Sequence, residues 1–361
     1  MHVDGSGDSD APAVPYGAGV SFVMPVLNEH AYLRRAVETV LEQEIDGPTE
    51  IVLALGPSTD GTTELARRLA TEDPRIVLVD NPDADIPIGL NLAIRASSFP
   101  TIVRVDAHSE LAPGYTRRAL ETLARTGAAN VGGVMRAEGR TPFQRAVARA
   151  YNSRVGLGGG AYHGSDREGP AESAYLGVMR RAVLEEVGLF DETIRRGEDW
   201  ELNLRIRRAG YRVWFDPALA VTYWPRDSWS RLARQFIATG TWRGELVRRY
   251  GRRNSLRFFA PPVLVLVLAL AVVVAALQLT GVLAGTASLV ASAVYLPLIA
   301  YALLVVVDAL RGSTWRDRLW TLAVLPTMHV CWGVGFIAGV LRGARDTVDT
   351  SRLGDRNTPL P

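Results

Sequence analysis

Polar and apolar positions along this chain follow three successive regimes. From residue 20 to 135, short β-rich runs alternate with amphipathic stretches. The runs predict strands at 20–24, 50–55, 76–79, 101–105 and 130–134, and the stretches between them predict helices near 31–43, 62–70, 89–96 and 114–126. Strands and helices in such alternation indicate a doubly wound α/β domain. Its ligands belong at the carboxyl ends of the strands, where loops converge and helix N-termini point into the crevice. After residue 136 the pattern loosens. Helices are predicted at 143–152, 180–187 and 199–209, a glycine-rich loop at 156–164 and a strand at 211–215. Residues 228–250 form a long amphipathic segment that would suit a membrane surface.

The third regime is almost uncharged. No charged residue occurs between Arg257 and Asp308, and none between Arg318 and Arg342. A bilayer core needs about 20 apolar residues in a helix, so spans are predicted near 262–283, 288–307 and 319–341. Pro326, His329, Gly333, Gly335 and Gly339 interrupt the last, which a re-entrant or interfacial segment would also explain. The expected organisation is an N-terminal tail (1–18), an α/β domain (19–227), an amphipathic interfacial segment (228–257), a membrane domain (258–342) and a C-terminal tail (343–361).

Bulk composition hides this layout. With 40 basic and 38 acidic residues, 48% hydrophobic residues and a mean hydropathy of +0.08, the 361-residue chain reads on average as an ordinary soluble protein. The uncharged runs exclude an entirely water-soluble one. All the basic residues besides histidine are arginine, and Arg248, Arg249, Arg252, Arg253, Arg257, Arg311, Arg316 and Arg318 flank the predicted spans. By the positive-inside tendency those flanks are cytoplasmic. The first residues lack the basic and apolar pattern of a secretory signal, which predicts an inner (plasma) membrane protein with its large domain in the cytosol. Cys331 stands alone, so no intrachain disulfide is expected. A net charge of +2 gives no reason to propose nucleic acid as a partner.

Chemistry-bearing residues cluster where strands end. Pro25, Asn28 and Glu29 follow the first strand, where an amide and a carboxylate suit a base or ribose, or else a turn and helix cap. Ser58 and Asp60 sit in a small, hydroxylated loop after the second strand. Such a loop lets backbone N–H groups approach a nucleotide, or simply caps the next helix. Arg104, Asp106 and His108 end the fourth strand. Asp106 and His108 are two apart, so both can reach one divalent cation, Mg²⁺ by oxygen preference or Mn²⁺ by tolerance of imidazole. Glu198 and Asp199 open a predicted helix. The helix dipole favours them there, and the position suits a carboxylate that takes a proton from a hydroxyl. Gln235, Trp242 and Arg243 lie on the amphipathic segment, where an indole and a guanidinium would bind a sugar diphosphate or a membrane surface.

In order and spacing, Pro25 to Glu29, Ser58 to Thr62, Asp106-Ala107-His108 and Glu198-Asp199 resemble glycosyltransferase family 2 on a GT-A fold, over about residues 19 to 250. The stretch ending Gly188-Leu189-Phe190-Asp191-Glu192, the Asp-Ala-His in place of a DXD motif and the apolar tail look like the succinoglycan-biosynthesis type of membrane-anchored member. The resemblance implies inverting transfer of a sugar from a nucleotide-sugar donor. Pro25, Asn28, Glu29, Ser58, Asp60, Arg104 and Asp106 would then bind the donor, and Asp106 with His108 a divalent cation on its diphosphate. Asp199 would be the general base, with Glu198 beside it. The acceptor would be a hydroxyl of a lipid-linked saccharide in polysaccharide or glycolipid assembly. A polyprenyl-phosphate sugar synthase and a non-catalytic, nucleotide-binding assembly subunit are the alternatives. The chain departs from the pattern at Leu55-Gly56, where an acidic base reader is often found, and at His108. Gln235, Trp242 and Arg243 only approximate the Gln-x-x-Arg-Trp motif of processive synthases, which points to single-sugar transfer.

Overall fold

The computed structural model describes residues 11, 12, 14, 17–157, 167–251, 255–344 and 347. They form two compact units, one from Met1–Ala137 with Gly159–Trp224 and the other from Glu138–Gly158 with Pro225–Pro361. The expected tails fall mostly outside the described residues, as does most of the predicted loop at 156–164.

The first unit is built on one mixed sheet. Among the described residues its strands are β1 (Val20–Val26), β2 (Thr49–Leu55), β3 (Ile76–Asp80), β4 (Thr101–Arg104), β5 (Ser109–Leu111), β6 (Asn130–Ala137), β7 (Gly169–Pro170), β8 (Tyr175–Arg180) and β9 (Val213–Tyr223). Their order is β3-β2-β1-β4-β8-β6-β9-β5, with β7 on β9. The four strands β3, β2, β1 and β4 are mutually parallel, as the alternation predicted. β8 then enters antiparallel between β4 and β6, β6 and β9 pair parallel beyond it, and β5 and β7 are antiparallel to β9, so the sheet is mixed outside its first four strands.

Period-two alternation divides the parallel strands between two cores. Phe22, Met24, Ile51 and Leu53 face α1 (Leu33–Leu41), α2 (Thr62–Glu72) and α4 (Tyr115–Thr126). Val23, Val52 and Ala54 face α3 (Ile86–Ala96), α7 (Arg181–Glu186) and α8 (Glu198–Arg208). Both faces are covered, which explains why these strands read as near-continuous apolar runs. β8 gave a weaker signal because Gly177 interrupts it. A Cβ there would lie 2.1 Å from Asn130 Oδ1, so the glycine makes room for a buried amide.

The second unit is helical. It comprises α5 (Pro142–Asn152), α6 (Arg154–Leu157), α9 (Trp229–Tyr250), α10 (Ala260–Leu279), α11 (Gly285–Ala291), α12 (Tyr295–Leu310) and α13 (Trp315–Arg342). Three segments, Leu256–Leu279, Gly285–Leu310 and Trp315–Arg342, are long and apolar enough to cross a membrane. The residues that break the third apolar run do not break its helix. α13 continues through Pro326 and is half-buried, because its glycines form a seam with α9. Gly240 and Gly244 face α13, and Gly335 and Gly339 face α9, each pair spaced i, i+4. A Cβ on Gly240 would lie 2.1 Å from Trp332 O, and one on Gly339 would lie 2.0 Å from Thr241 O. Backbones this close exclude any side chain at those positions.

Candidate active site

Four loops of the first unit end at the carboxyl edge of its parallel strands. Two of them are tied together by side chains. The backbone N–H of Asn28 donates to Ser58 Oγ at 3.0 Å, and Thr59 N–H donates back to Asn28 Oδ1 at 2.8 Å. Glu29 N–H donates to Thr62 Oγ1 at 2.9 Å and His30 N–H to Asp60 Oδ2 at 3.2 Å. Asp60 also accepts from Thr62 N–H at 3.1 Å, opening α2. Asn28 has φ 53°, a left-handed conformation that asparagine tolerates better than most residues. Asn28, Ser58 and Asp60 are therefore committed to holding the β1–α1 and β2–α2 loops in register. This bracing of loop against loop differs from the helix caps that the sequence offered, since neither α1 nor α2 has a side-chain hydrogen bond at its N-cap.

At the end of β4, Arg104 is almost fully buried and gathers three carboxylates. Its Nη1 donates to Glu198 Oε1 at 3.0 Å and also to Asp199 Oδ1, and its Nη2 lies 3.2 Å from Asp106 Oδ1. Burial alone would lower the pKa of Arg104, but Asp199, Asp106 and Glu198 together hold it well above its ordinary value. Glu198 and Asp199 are delivered by the first turn of α8, which follows Gly197 at φ 80°. Asn203, one turn on, donates to Asp199 O at 2.7 Å and to Ser173 Oγ at 3.2 Å, and accepts from Asn130 at 2.7 Å, anchoring that turn to the sheet. Asp199 keeps 30% of its side chain exposed, against 5% for Arg104. Burial pushes its carboxyl up to about 7, Arg104 opposes the shift, and Glu198 and Asp106 add to it. A carboxylate poised near neutrality and still partly exposed is equipped to accept a proton.

His108 is buried, with Nδ1 3.1 Å from Glu29 Oε1 and its ring edge-on to Tyr223 at 5.2 Å. Glu29 thus meets the β4–β5 turn as well as the β2–α2 loop. Among the described residues no three His, Cys, Asp or Glu side chains converge as a metal site. The donor set nonetheless fits a divalent cation of the kind held by one or two carboxylates with substrate phosphates completing the shell. Asp106, paired with Arg104 through Oδ1, would supply the carboxylate. His108 would offer Nε2, with Glu29 on the other nitrogen as the orienting partner metal-bound histidines commonly have.

Several contributors escaped the sequence reading. Asp85, before α3, pairs with Arg195 at 2.8 Å, and burial raises its carboxyl to about 6, with Glu198 adding to the shift. Asn91 exchanges two hydrogen bonds with the backbone of Phe190, at 2.9 and 3.0 Å, and reaches Glu192 at 2.9 Å, fixing the Gly188 to Glu192 turn to α3. Acidic residues between a strand end and a helix start were the one available signal for Asp85. Nothing local marks Arg195 or Asn91. Gln235, Trp242 and Arg243 lie in the second unit. Trp242 is buried there and donates to Thr347 O at 3.2 Å, Gln235 is buried, and Arg243 stacks over Phe258 at 4.0 Å. A cavity of about 450 Å³ in the first unit opens at the N-terminal ends of β1 and β4, beside Val20 and Thr101, and includes none of the site carboxylates.

Residues 21–188 match the family described as Glycosyl transferase family 2. Over 241 residues, 66% of this chain and 73% of its relative, the chain is 34% identical to the succinoglycan biosynthesis protein ExoA of Rhizobium meliloti (strain 1021). The chain belongs to glycosyltransferase family 2. This family 2 glycosyltransferase is also 23% identical, over 66% of its length and 77% of the relative's, to the dolichyl N-acetyl-alpha-D-glucosaminyl phosphate 3-beta-D-2,3-diacetamido-2,3-dideoxy-beta-D-glucuronosyltransferase of Methanococcus voltae. Its fold is that of the mannosyltransferase PcManGT from Pyrobaculum calidifontis, solved with GDP-Man and Mn²⁺, at a TM-score of 0.55, 19% identity and coverage of 89% of this chain and 86% of that one. Family membership and the GT-A-type sheet agree with the transferase reading of the strand-end motifs.

Proposed function

We propose that this glycosyltransferase transfers a sugar, with inversion, from a nucleotide-sugar donor to a hydroxyl of a lipid-linked saccharide at the cytoplasmic face of the inner membrane. The observation that carries the proposal is the convergence of Asp106, Glu198 and Asp199 on buried Arg104 at the carboxyl edge of the parallel strands. Carboxylates taken out of water need a fixed counter-charge. Arg104 supplies it and holds all three in one geometry.

In this reading the donor lies across the strand ends, its nucleoside against Pro25, Glu29 and the backbone of the two tied loops. Asp106 and His108 would hold a divalent cation, which when bound offsets charge on the diphosphate as it leaves. Asp199 accepts the proton of the acceptor hydroxyl as its oxygen attacks the anomeric carbon, opposite the departing nucleoside diphosphate. Glu198, on the same arginine, keeps Asp199 oriented and its affinity for a proton high. Support for the donor class comes from the named activities of the relatives, and support for a lipid-linked acceptor from the dolichyl-linked substrate in one relative's name and from the three apolar helices. Hexosyl transfer and metal dependence belong to the same proposal.

The test is transfer from a panel of labelled UDP-, GDP- and dTDP-sugars by the purified full chain, with Mn²⁺, Mg²⁺ or EDTA. Turnover with one donor, lost in EDTA and in Asp199→Asn, is the expected result. Turnover that Asp199→Asn leaves intact would favour a phosphate acceptor, which needs no strong base. No turnover with any donor and full function of Asp199→Asn in cells would refute the enzymatic reading.

A further inference from the structure

We propose that the helical unit holds a segment of a polyprenyl chain in a cavity of its own, with the lipid's phosphate on Arg257. The proposal rests on the reading that the acceptor is lipid-linked, and assigns where that lipid is gripped.

The cavity, about 180 Å³ and partly open, is lined by α6, α10, α12, α13 and the turn at Leu256–Phe259. Leu157, Pro261, Leu264, Leu304 and Trp332 supply apolar wall. Two polar side chains in the lining are already satisfied. The Tyr301 hydroxyl donates to His329 Nδ1 at 2.8 Å, and His329 Nε2 donates to the carbonyls of Val155 and Gly156 at 3.0 and 3.1 Å. A buried polar pair whose donors and acceptors are taken presents its carbon surface to the cavity. Small-molecule sites begin at about 300 Å³ and carry convergent polar groups. This smaller, apolar space suits part of a hydrocarbon chain and would desolvate a sugar without compensation.

Trp332 Nε1 is a buried N–H without an acceptor among the described residues, and Arg257 is the charged residue of the lining. Among the described residues it makes no side-chain hydrogen bond or ion pair, and its buried Nε has no acceptor. Its guanidinium stacks 4.8 Å from the centre of the Phe258 ring, and that of Arg243 lies 4.0 Å from the same centre. Arg257 is also the last charge before the first apolar run, the level at which a lipid phosphate meets the hydrocarbon. A cation in the lining of a chain-sized, mainly apolar cavity describes a site for an anionic amphiphile. The proposed reaction names the occupant as the phosphorylated polyprenyl carrier of the acceptor, not a bulk phospholipid.

The experiment is native mass spectrometry of the full chain released from phosphatidylcholine nanodiscs loaded with undecaprenyl phosphate, uncharged undecaprenol, phosphatidylglycerol or inorganic phosphate. Undecaprenyl phosphate should be retained at least ten-fold more than phosphatidylglycerol or undecaprenol, and inorganic phosphate should not be retained. Leu304→Trp, which fills the cavity, should reduce retention at least ten-fold. Arg257→Gln should erase the preference for the phosphate over undecaprenol. Leu304→Ala leaves the cavity open and should retain the lipid, which controls for a misfolded tryptophan variant. Equal retention of phosphatidylglycerol would identify an ordinary anionic-lipid contact and overturn the proposal, as would unchanged retention by Leu304→Trp. Donor binding, followed by thermal shift in the same preparations, separates the two failures. A chain that binds a nucleotide-sugar but not the polyprenyl phosphate loses only this site, whereas one that binds no donor loses the transferase reading.

Discussion

Arg104 illustrates how one residue organises the site. Replacing it with glutamine leaves three neighbouring carboxylates without their cation, a loss of about 3–5 kcal/mol by analogy with broken buried pairs. Calorimetry of Arg104→Gln should show a clearly lower melting transition, and Arg104→Lys should recover only part, because an ammonium lacks the forked geometry that reaches several oxygens. Asp199 gives the pH prediction. Its carboxyl, raised from 3.8 to about 7, binds a proton more tightly folded than unfolded. The stability it contributes is fully present below about pH 4 and is lost as pH rises through about 7. Unliganded protein should therefore lose thermal stability over that window, and Asp199→Asn should flatten the loss. Activity runs the other way, rising with pH to a plateau above about 7, as a base must be ionised to act. Asp199→Asn should lower turnover by about 10²–10⁴-fold while donor binding persists, which kcat and thermal shift measure separately.

Among the elements, the start of α8 and the α9–α13 seam carry the most information. A helix N-terminus favours carboxylates by its dipole whatever their use, so the acidic start of α8 was legible as a cap and ambiguous as chemistry. Its tie to Arg104, ninety-odd residues earlier in the chain, is the tertiary contact on which the proposed chemistry rests. The glycines of α13 were legible as interruptions, yet they are a packing surface. Gly339→Val would place its side chain against the backbone of Thr241. Overpacking of this kind costs about 1–3 kcal/mol or more, and fluorescence-detected size exclusion in detergent should show the variant shifting toward aggregate while Val334→Ala, on an exposed position, does not.

For the whole molecule, the uncharged runs place large apolar side chains such as Leu266, Leu270 and Val273 of α10 on the surface of the helical unit. Apolar surface of this extent on helices of spanning length requires lipid or a partner. Leu270→Arg should weaken insertion by about 3 kcal/mol, seen as a larger fraction of protein released by alkaline extraction of membranes.

The chain by itself determined the run of parallel strands from β1 to β4, the positions of the strand-end motifs and the three apolar helices. These depend on local periodicity and on charge, which neighbouring residues declare. Tertiary structure decided that Arg104 joins Asp106 to Glu198 and Asp199, that His108 turns to Glu29, that Asn28, Ser58 and Asp60 tie loops together, and that Trp242 is buried in the helical unit. It also decided that β8 enters antiparallel across a glycine. Each of these depends on which side chains meet across long sequence separations, and burial makes their pairing obligatory only once the chain has folded.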